Sequence, residues 1–175
     1  EIDLAALERN LGLIRAALPQ GIRYVSVVKA DAYGHGIHPT AARLMQSGVD
    51  LFAVANVREA TEIREMGSGW PILVLGPLLP EEDQSLATHD LIATISCANE
   101  LDRFAAVARE ASKTLPIQLK IDTGMGRMGA WWEDAVALLQ DAQSRPELKL
   151  EGALTHFADP KDIEFTKKQR KIFLD

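Results

Sequence analysis

Apolar positions along this chain alternate between two kinds of run, one at helical spacing and one short and continuous. Leu4, Leu7, Leu11, Ile14 and Leu18 recur on one helical face, which predicts a helix over about 3–18, closed by Pro19 and Gly21. Ile22 to Val28 is β-branched and aromatic and reads as a strand. A helix with Pro39 in its first turn follows to about Gln46 and stops at Gly48. Leu51 to Val54 is a second strand, and Asn56-Val57-Arg58-Glu59 has the form of a capping box opening a helix to Met66. The alternation continues: strand Ile72 to Leu75, a short helix near 80–88, strand Leu91 to Ile95, then a helix capped by Ser96 and ending near Ala111. Pro116 introduces the strand Ile117 to Ile121, and a glycine-rich loop over 122–130 leads into a helix over about 132–143. Leu148 to Thr155 is the sixth strand, and a last helix occupies about 162–175.

The strands are short and apolar throughout, as in parallel sheets covered by helices on both faces. Two architectures fit repeated βα units of this kind, a doubly wound open sheet and a (β/α)8 barrel. No Gly-x-Gly-x-x-Gly follows the first strand, which weakens the dinucleotide-binding form of the open sheet. The unusual polar residues fall after several different strands, where barrels build their sites. The expected fold is therefore α/β, a truncated (β/α)8 TIM-type barrel with about six strands, residues 1–175 forming one partial barrel domain. The chain opens at Glu1 without methionine and ends at Asp175 without a capping signal, so both ends read as cut and a larger parent protein is expected.

Charge and cysteine content narrow the classes. There are 19 basic against 25 acidic side chains, and no basic patch stands out, which argues against a nucleic-acid or membrane-surface partner. The run Lys167-Lys168-Gln169-Arg170-Lys171 reads as the solvated face of a helix. The single cysteine, Cys97, allows no internal disulfide, so a reducing compartment and a cytoplasmic location are expected. No apolar stretch approaches the ~20 residues that span a bilayer, and no signal peptide is visible.

Three segments after strand ends carry the candidate chemistry. The first is Lys29-Ala30-Asp31-Ala32-Tyr33-Gly34-His35-Gly36. A lysine directly after a buried-looking strand is badly placed for a solvated charge, and an amine withdrawn from water is a nucleophile able to form a Schiff base. A tyrosine hydroxyl donates well to phosphate, and glycines permit close backbone approach. The bland alternative is a lysine snorkelling from a strand end. The second segment is Lys120-Ile121-Asp122-Thr123-Gly124-Met125-Gly126-Arg127-Met128-Gly129, where three glycines around one arginine suggest a loop that brings a guanidinium to an anion. The third is Gly152-Ala153-Leu154-Thr155-His156-Phe157-Ala158, with His156 either a ring-stacking or hydrogen-bonding group or a satisfied core histidine. In a barrel the three loops would converge on one face. The His35 and His38 pair is a weak metal signal without further ligands, His89 reads as exposed at a helix end, and Trp131 and Trp132 read as packing or surface anchors.

These residues carry a family resemblance. Val27-Val28-Lys29-Ala30-Asp31-Ala32-Tyr33-Gly34-His35-Gly36 closely resembles the cofactor-lysine motif of the alanine racemases, pyridoxal-phosphate enzymes with a barrel domain. Asp122-Thr123-Gly124-Met125-Gly126-Arg127-Met128-Gly129 and Thr155-His156-Phe157-Ala158 resemble two further segments of the same family, in the same order. The resemblance implies that Lys29 holds pyridoxal 5'-phosphate as an aldimine and serves as the base on one face of the substrate Cα. It implies that Tyr33 contacts the cofactor phosphate, that Arg127 lies beside the cofactor's phenolic oxygen and the substrate carboxylate, and that His156 sits near the ring. Lys120 matches a position that is carbamylated in some members, where it steadies the arginine. The implied function is interconversion of L- and D-alanine in the supply of D-alanine for peptidoglycan precursors, by a homodimer with shared active sites. The family's opposite base is a tyrosine from a C-terminal β-domain of the partner subunit, which this chain lacks along with the later barrel strands, so the 175 residues alone are not expected to racemise. The alternatives are a racemase of another amino acid such as serine or lysine, a non-catalytic pyridoxal-phosphate-binding barrel, and a structural fragment without a ligand.

Overall fold

The computed structural model describes residues 1–175. Two compact units result, residues 1–78 with 88–91, and residues 79–87 with 92–175. No helix is long and apolar enough to cross a membrane.

In the first unit, α1 (Leu4–Ala17) begins where the Asp3 carboxylate accepts the backbone N–H groups of Ala5 and Ala6, two of the donors that a helix start leaves unpaired. Three parallel strands follow in sequence order, β1 (Val25–Val27), β2 (Leu51–Val54) and β3 (Ile72–Val74), with Val25 beside Leu51 and Phe52 beside Ile72. Between them lie a six-residue turn α2 (Lys29–Gly34), then α3 (Ile37–Gln46) and α4 (Val57–Met66). Ile37, Ala41, Leu44, Ala60 and Ile63 face the sheet from the two long helices and are buried with all of β2 and β3. Arg64 on α4 fastens the loop at 88–91 by donating to the carbonyl oxygens of His89 and Asp90. His89 is accordingly half-buried rather than exposed.

The second unit opens with a 3-10 turn, Pro80–Glu82, and α5 (Gln84–Thr88), where the sequence predicts one short helix. It continues with β4 (Ile92–Ile95), α6 (Ala98–Glu110), β5 (Leu115–Asp122), a two-residue strand β6 (Ala130–Trp131), α7 (Ala135–Ser144), β7 (Leu148–Leu154) and α8 (Ile163–Leu174). Strand β5 is central: it pairs in parallel with β4, with β7 and, at its C-terminal end, with β6. Phe104, Leu101, Ile117, Leu119 and Ile95 form the core. Asp83 and Arg103 make a largely buried ion pair at 2.5 Å.

The pattern of βα units and parallel pairing is as read from the sequence, with differences that have physical reasons. There are seven strands rather than about six, because the glycine-rich loop folds back and lays Ala130 and Trp131 against Ile121 and Asp122. Cys97, not Ser96, occupies the N-cap of α6. Burial on both faces holds for β2, β3 and β4 but not for β1 or β7. Strand β1 has only β2 beside it and exposes Val25 and Val27, and β7 has only β5 and alternates, with Lys149, Glu151 and Ala153 outward. A strand with one neighbour keeps an open flank, so alternation returns.

Candidate functional site

Lys29 stands directly after the β1 ladder, which Val28 extends by donating to the Ala53 carbonyl at 2.9 Å. The chain then turns in an unusual way. Ala30, Asp31, Ala32 and Tyr33 have φ of 53°, 54°, 53° and 56°, four consecutive residues in the left-handed region. Steric conflict between Cβ and the following carbonyl costs an L-residue roughly 1–2 kcal/mol there, so the turn stores several kcal/mol that its surroundings must supply. Backbone bonds from Ala32 to Val28 and from Gly36 to Asp31 close it, and the Asp31 carboxylate accepts the Ile37 N–H at 2.7 Å where α3 begins. The turn leaves the Lys29 side chain half-buried, with no carboxylate or carbonyl partner, and Tyr33 58% exposed, its hydroxyl unengaged.

One further anchor comes from elsewhere in the unit. Glu59, on α4 and 6% exposed, spreads its carboxylate over two backbone donors: Oε1 accepts the Ala30 N–H and Oε2 the Ala55 N–H, each at 2.8 Å. Asn56 caps α4 by accepting the Glu59 N–H, so half of the predicted capping box forms. The other half does not, because the Glu59 side chain turns to Ala30 and Ala55. Glu59 was legible in the sequence only as part of a cap, and nothing local indicated its distant partner.

In the second unit the residues after β5 and β7 form one connected group. Asp122, 8% exposed, folds its carboxylate back over the loop: Oδ1 accepts the Gly124 N–H and Oδ2 the Gly126 N–H, both at 2.9 Å. Burial pushes this carboxyl up, but the N–H groups of Gly124, Gly126 and Met125 and the charge of Lys120 outweigh it and hold it below the usual carboxylate range. Glycines carry the positive φ values of the loop, at Gly124, Gly126 and Gly129. A Cβ on Gly129 would stand 2.9 Å from the Asp122 nitrogen, so glycine is what lets β6 lie against β5. Arg127 at the loop tip is exposed and makes no ion pair. Lys120 is buried on β5 with no hydrogen-bond partner; burial pushes its ammonium below the ordinary lysine value, and the positive Arg127 pushes it further, against the pull of Asp122.

A hydrogen-bonded chain ties these loops together. The Thr155 hydroxyl donates to the Ile121 carbonyl at 2.9 Å, so the proton in the 2.8 Å contact between Thr123 and Thr155 belongs to Thr123. Thr123 Oγ1 therefore accepts from Gln169 Nε2, which also donates to the His156 carbonyl, while Gln169 Oε1 accepts the Ala158 N–H. Gln169 lies on α8, fully buried, within the run read as a solvated face. Its neighbours Lys167, Lys168, Arg170 and Lys171 are exposed as expected, and the amide is the exception that orients the His156 segment.

Lys29 and Tyr33 thus share one turn, while in the second unit the hydrogen-bonded chain reaches the His156 backbone and Lys120 feels Arg127 only through its charge. His156 is exposed rather than a core histidine. His35 turns Nδ1 to the Ala32 carbonyl at 2.8 Å, inside the Lys29 turn. Trp131 and Trp132 are 46% and 37% exposed and stack at a tilt, 6.2 Å between centroids. Within the first unit, the amine of Lys29 without a partner and the unengaged phenol of Tyr33 are groups that suit a phosphorylated aldehyde such as pyridoxal phosphate.

Comparison with known proteins gives the family of the chain. Residues 2–175 match the family model described as alanine racemase, N-terminal domain. The alanine racemase of Halothermothrix orenii is 40% identical over 174 residues, 97% of this chain and 45% of that protein. The alanine racemase of Clostridium difficile 630 in complex with cycloserine superimposes with a TM-score of 0.91 at 32% identity, over 95% of this chain and 47% of that one. A histidine racemase from Leuconostoc mesenteroides subsp. sake gives 0.87 at 26% identity, over 97% and 46%. The chain spans about half the length of the curated relatives it matches. The truncated (β/α)8 barrel read from the sequence is the fold of these residues, and the chain belongs to the family of the alanine racemase N-terminal domain.

Proposed function

We propose that this chain is the cofactor-bearing part of a pyridoxal-phosphate-dependent racemase that interconverts L- and D-alanine. The observation that carries the reading is Lys29, an amine without a partner held by a strained turn inside a motif of this family. Pyridoxal phosphate, when bound, would withdraw electrons from the substrate Cα and so acidify its proton.

The residues of the chain then divide the remaining work. Lys29 would hold the cofactor and take or return the Cα proton on one face, since racemisation needs a base on each side of a planar centre. Tyr33 offers its exposed hydroxyl to the phosphate. Arg127 carries a charge with no protein counter-ion and would bind the cofactor's phenolic oxygen and the substrate carboxylate. His156 would sit near the cofactor ring, on a backbone fixed by Gln169. Lys120 is a buried amine shifted toward its neutral form; a neutral amine adds to the carbon of carbon dioxide, forming an N–C bond and releasing one proton to solvent to leave a carbamate anion. A carbamate there would place a negative charge beside Arg127, steadying it. A carboxyl increment on the Lys120 peptide in native mass spectra would support this, and its absence under carbon dioxide would refute it.

The base for the opposite face is proposed to be a tyrosine from a C-terminal β-domain of a partner subunit, so the 175 residues bind cofactor without turning over substrate. This follows the family resemblance, and the curated relatives are about twice as long as the chain. Robust alanine racemisation by the purified chain would overturn that part. A homodimer and a cytoplasmic location belong to the same proposal. Substrate identity rests on the alanine racemases among the relatives; the similarity to a histidine racemase favours a second reading, an amino-acid racemase of other specificity.

The test is spectroscopic and enzymatic together. Addition of pyridoxal phosphate is expected to give the visible absorbance band of the bound cofactor, absent in Lys29→Ala. The protein carrying this domain is expected to racemise alanine far faster than serine, lysine or histidine. A band that survives Lys29→Ala would refute the assignment of Lys29, and a preference for another amino acid would select the second reading.

A further inference from the structure

We propose that Glu59 is a positioning residue: its two carboxylate oxygens hold the left-handed turn that presents Lys29, an inference that rests on the reading of Lys29 as the cofactor amine. Four non-glycine residues in succession adopt the left-handed region immediately after Lys29. Such a segment relaxes unless something outside it fixes its start. The first of the four is Ala30, and its N–H goes to Glu59 Oε1. The same carboxylate binds the Ala55 N–H just after β2 through Oε2. The Lys29 turn is thereby referenced to the neighbouring strand through one rigid, buried group.

A carboxylate is the group this geometry requires. Two backbone N–H donors, each 2.8 Å from a different oxygen, need two acceptors on one planar head. Glutamine has the same shape but only one acceptor, and its amide N–H would confront one of the two backbone donors. Glu100, the corresponding residue of α6, serves only its own cap, accepting from Ser96 and Cys97, with no strained turn nearby. The reach of Glu59 to Ala30 goes beyond what capping its own helix requires.

The role predicts a rescue. If Glu59 works by holding strain, replacing Ala30 by glycine, which adopts φ near +53° without penalty, should lessen the need for it. If Glu59 worked through its charge on the Lys29 amine, glycine at position 30 would change nothing.

The experiment uses the 175-residue chain and pyridoxal phosphate as the probe, trapped by borohydride and measured as labelled Lys29 peptide. Glu59→Gln is expected to lower the apparent affinity for the probe about tenfold, the equivalent of one hydrogen bond lost to a buried partner. Glu59→Gln with Ala30→Gly is expected to regain most of it. Asn56→Ala, which uncaps the same helix without touching Ala30, is expected to lower the melting temperature and leave the affinity unchanged. Unchanged affinity in Glu59→Gln, or failure of glycine to restore it, would overturn the proposal. Amide exchange of the unsubstituted chain decides independently of any variant's folding. The Ala30 N–H should be protected although Ala30 is exposed, and fast exchange there would refute the role of Glu59. Failure of Lys29 to trap the probe at all, with Ala30 protected, would instead count against the cofactor reading alone.

Discussion

The two candidate regions solve the same problem with opposite chemistry. Both must send the chain back after a parallel strand and present one cation. The loop after β5 places its positive φ values on Gly124, Gly126 and Gly129, where they carry no steric penalty, and secures the fold with Asp122 and with the amide and hydroxyls of Gln169, Thr123 and Thr155. The turn after β1 places them on Ala30, Asp31, Ala32 and Tyr33 and secures them with carboxylates, Glu59 and Asp31. The first is relaxed; the second is strained and held. A strained, over-determined backbone keeps a reacting group in one place, whereas an exposed arginine at a glycine-rich tip can follow an anion.

The contrast can be broken most severely at Gln169. Gln169→Glu leaves the volume intact but faces Thr123 Oγ1 and the His156 carbonyl with a buried anion that cannot donate to either. A loss of about 3–5 kcal/mol in chemical denaturation is expected. A loss below about 1 kcal/mol would mean that the amide does not hold these loops. Gly129→Ala comes next, at about 2–3 kcal/mol, since its Cβ would collide with the Asp122 backbone at a φ of 118°.

The sharper comparison exchanges glycine and alanine between the regions. Gly126→Ala, in open space at φ 73°, is expected to cost about 1 kcal/mol. Ala30→Gly should show the reverse sign, a gain of about 0.5 kcal/mol, because relief of the left-handed strain exceeds the added freedom of the unfolded chain. Destabilisation by Ala30→Gly, as at an ordinary helical alanine, would show that the turn is not strained.

Titration gives the smallest expected effects. Asp122 is held below its unfolded value, so it contributes stability that is present above the unfolded value and lost as pH falls through the folded one. Asp122→Asn should flatten that part of the acid limb. Lys120 has the opposite consequence. Its folded value is lowered, the unfolded chain binds more protons, and stability rises with pH between the folded value and the ordinary 10.5. Lys120→Met should remove that rise.

How far the sequence reveals each region follows from the same chemistry. Glycine marks left-handed backbone openly, so the residues at 122–129 alone identify a shaped loop around Arg127. Alanine and tyrosine do not, and the Lys29 turn reads in the sequence only as a strand end followed by small residues. Periodicity locates the helices and parallel strands because buried apolar faces impose it. It passes over Glu59 and Gln169, whose roles depend on partners far away in sequence: Ala30 for the first, Thr123 and His156 for the second. The short strand β6 is hidden for a related reason, since two residues carry no period.

The most direct measurement is reductive trapping. The chain is incubated with pyridoxal phosphate, reduced with borohydride and mapped by peptide mass. Lys29 should carry the label, with Lys120 and the surface lysines unmodified at stoichiometric cofactor. Label spread over the surface lysines, or centred on any lysine other than Lys29, would contradict the proposal that the turn after β1 exists to present a cofactor-binding amine.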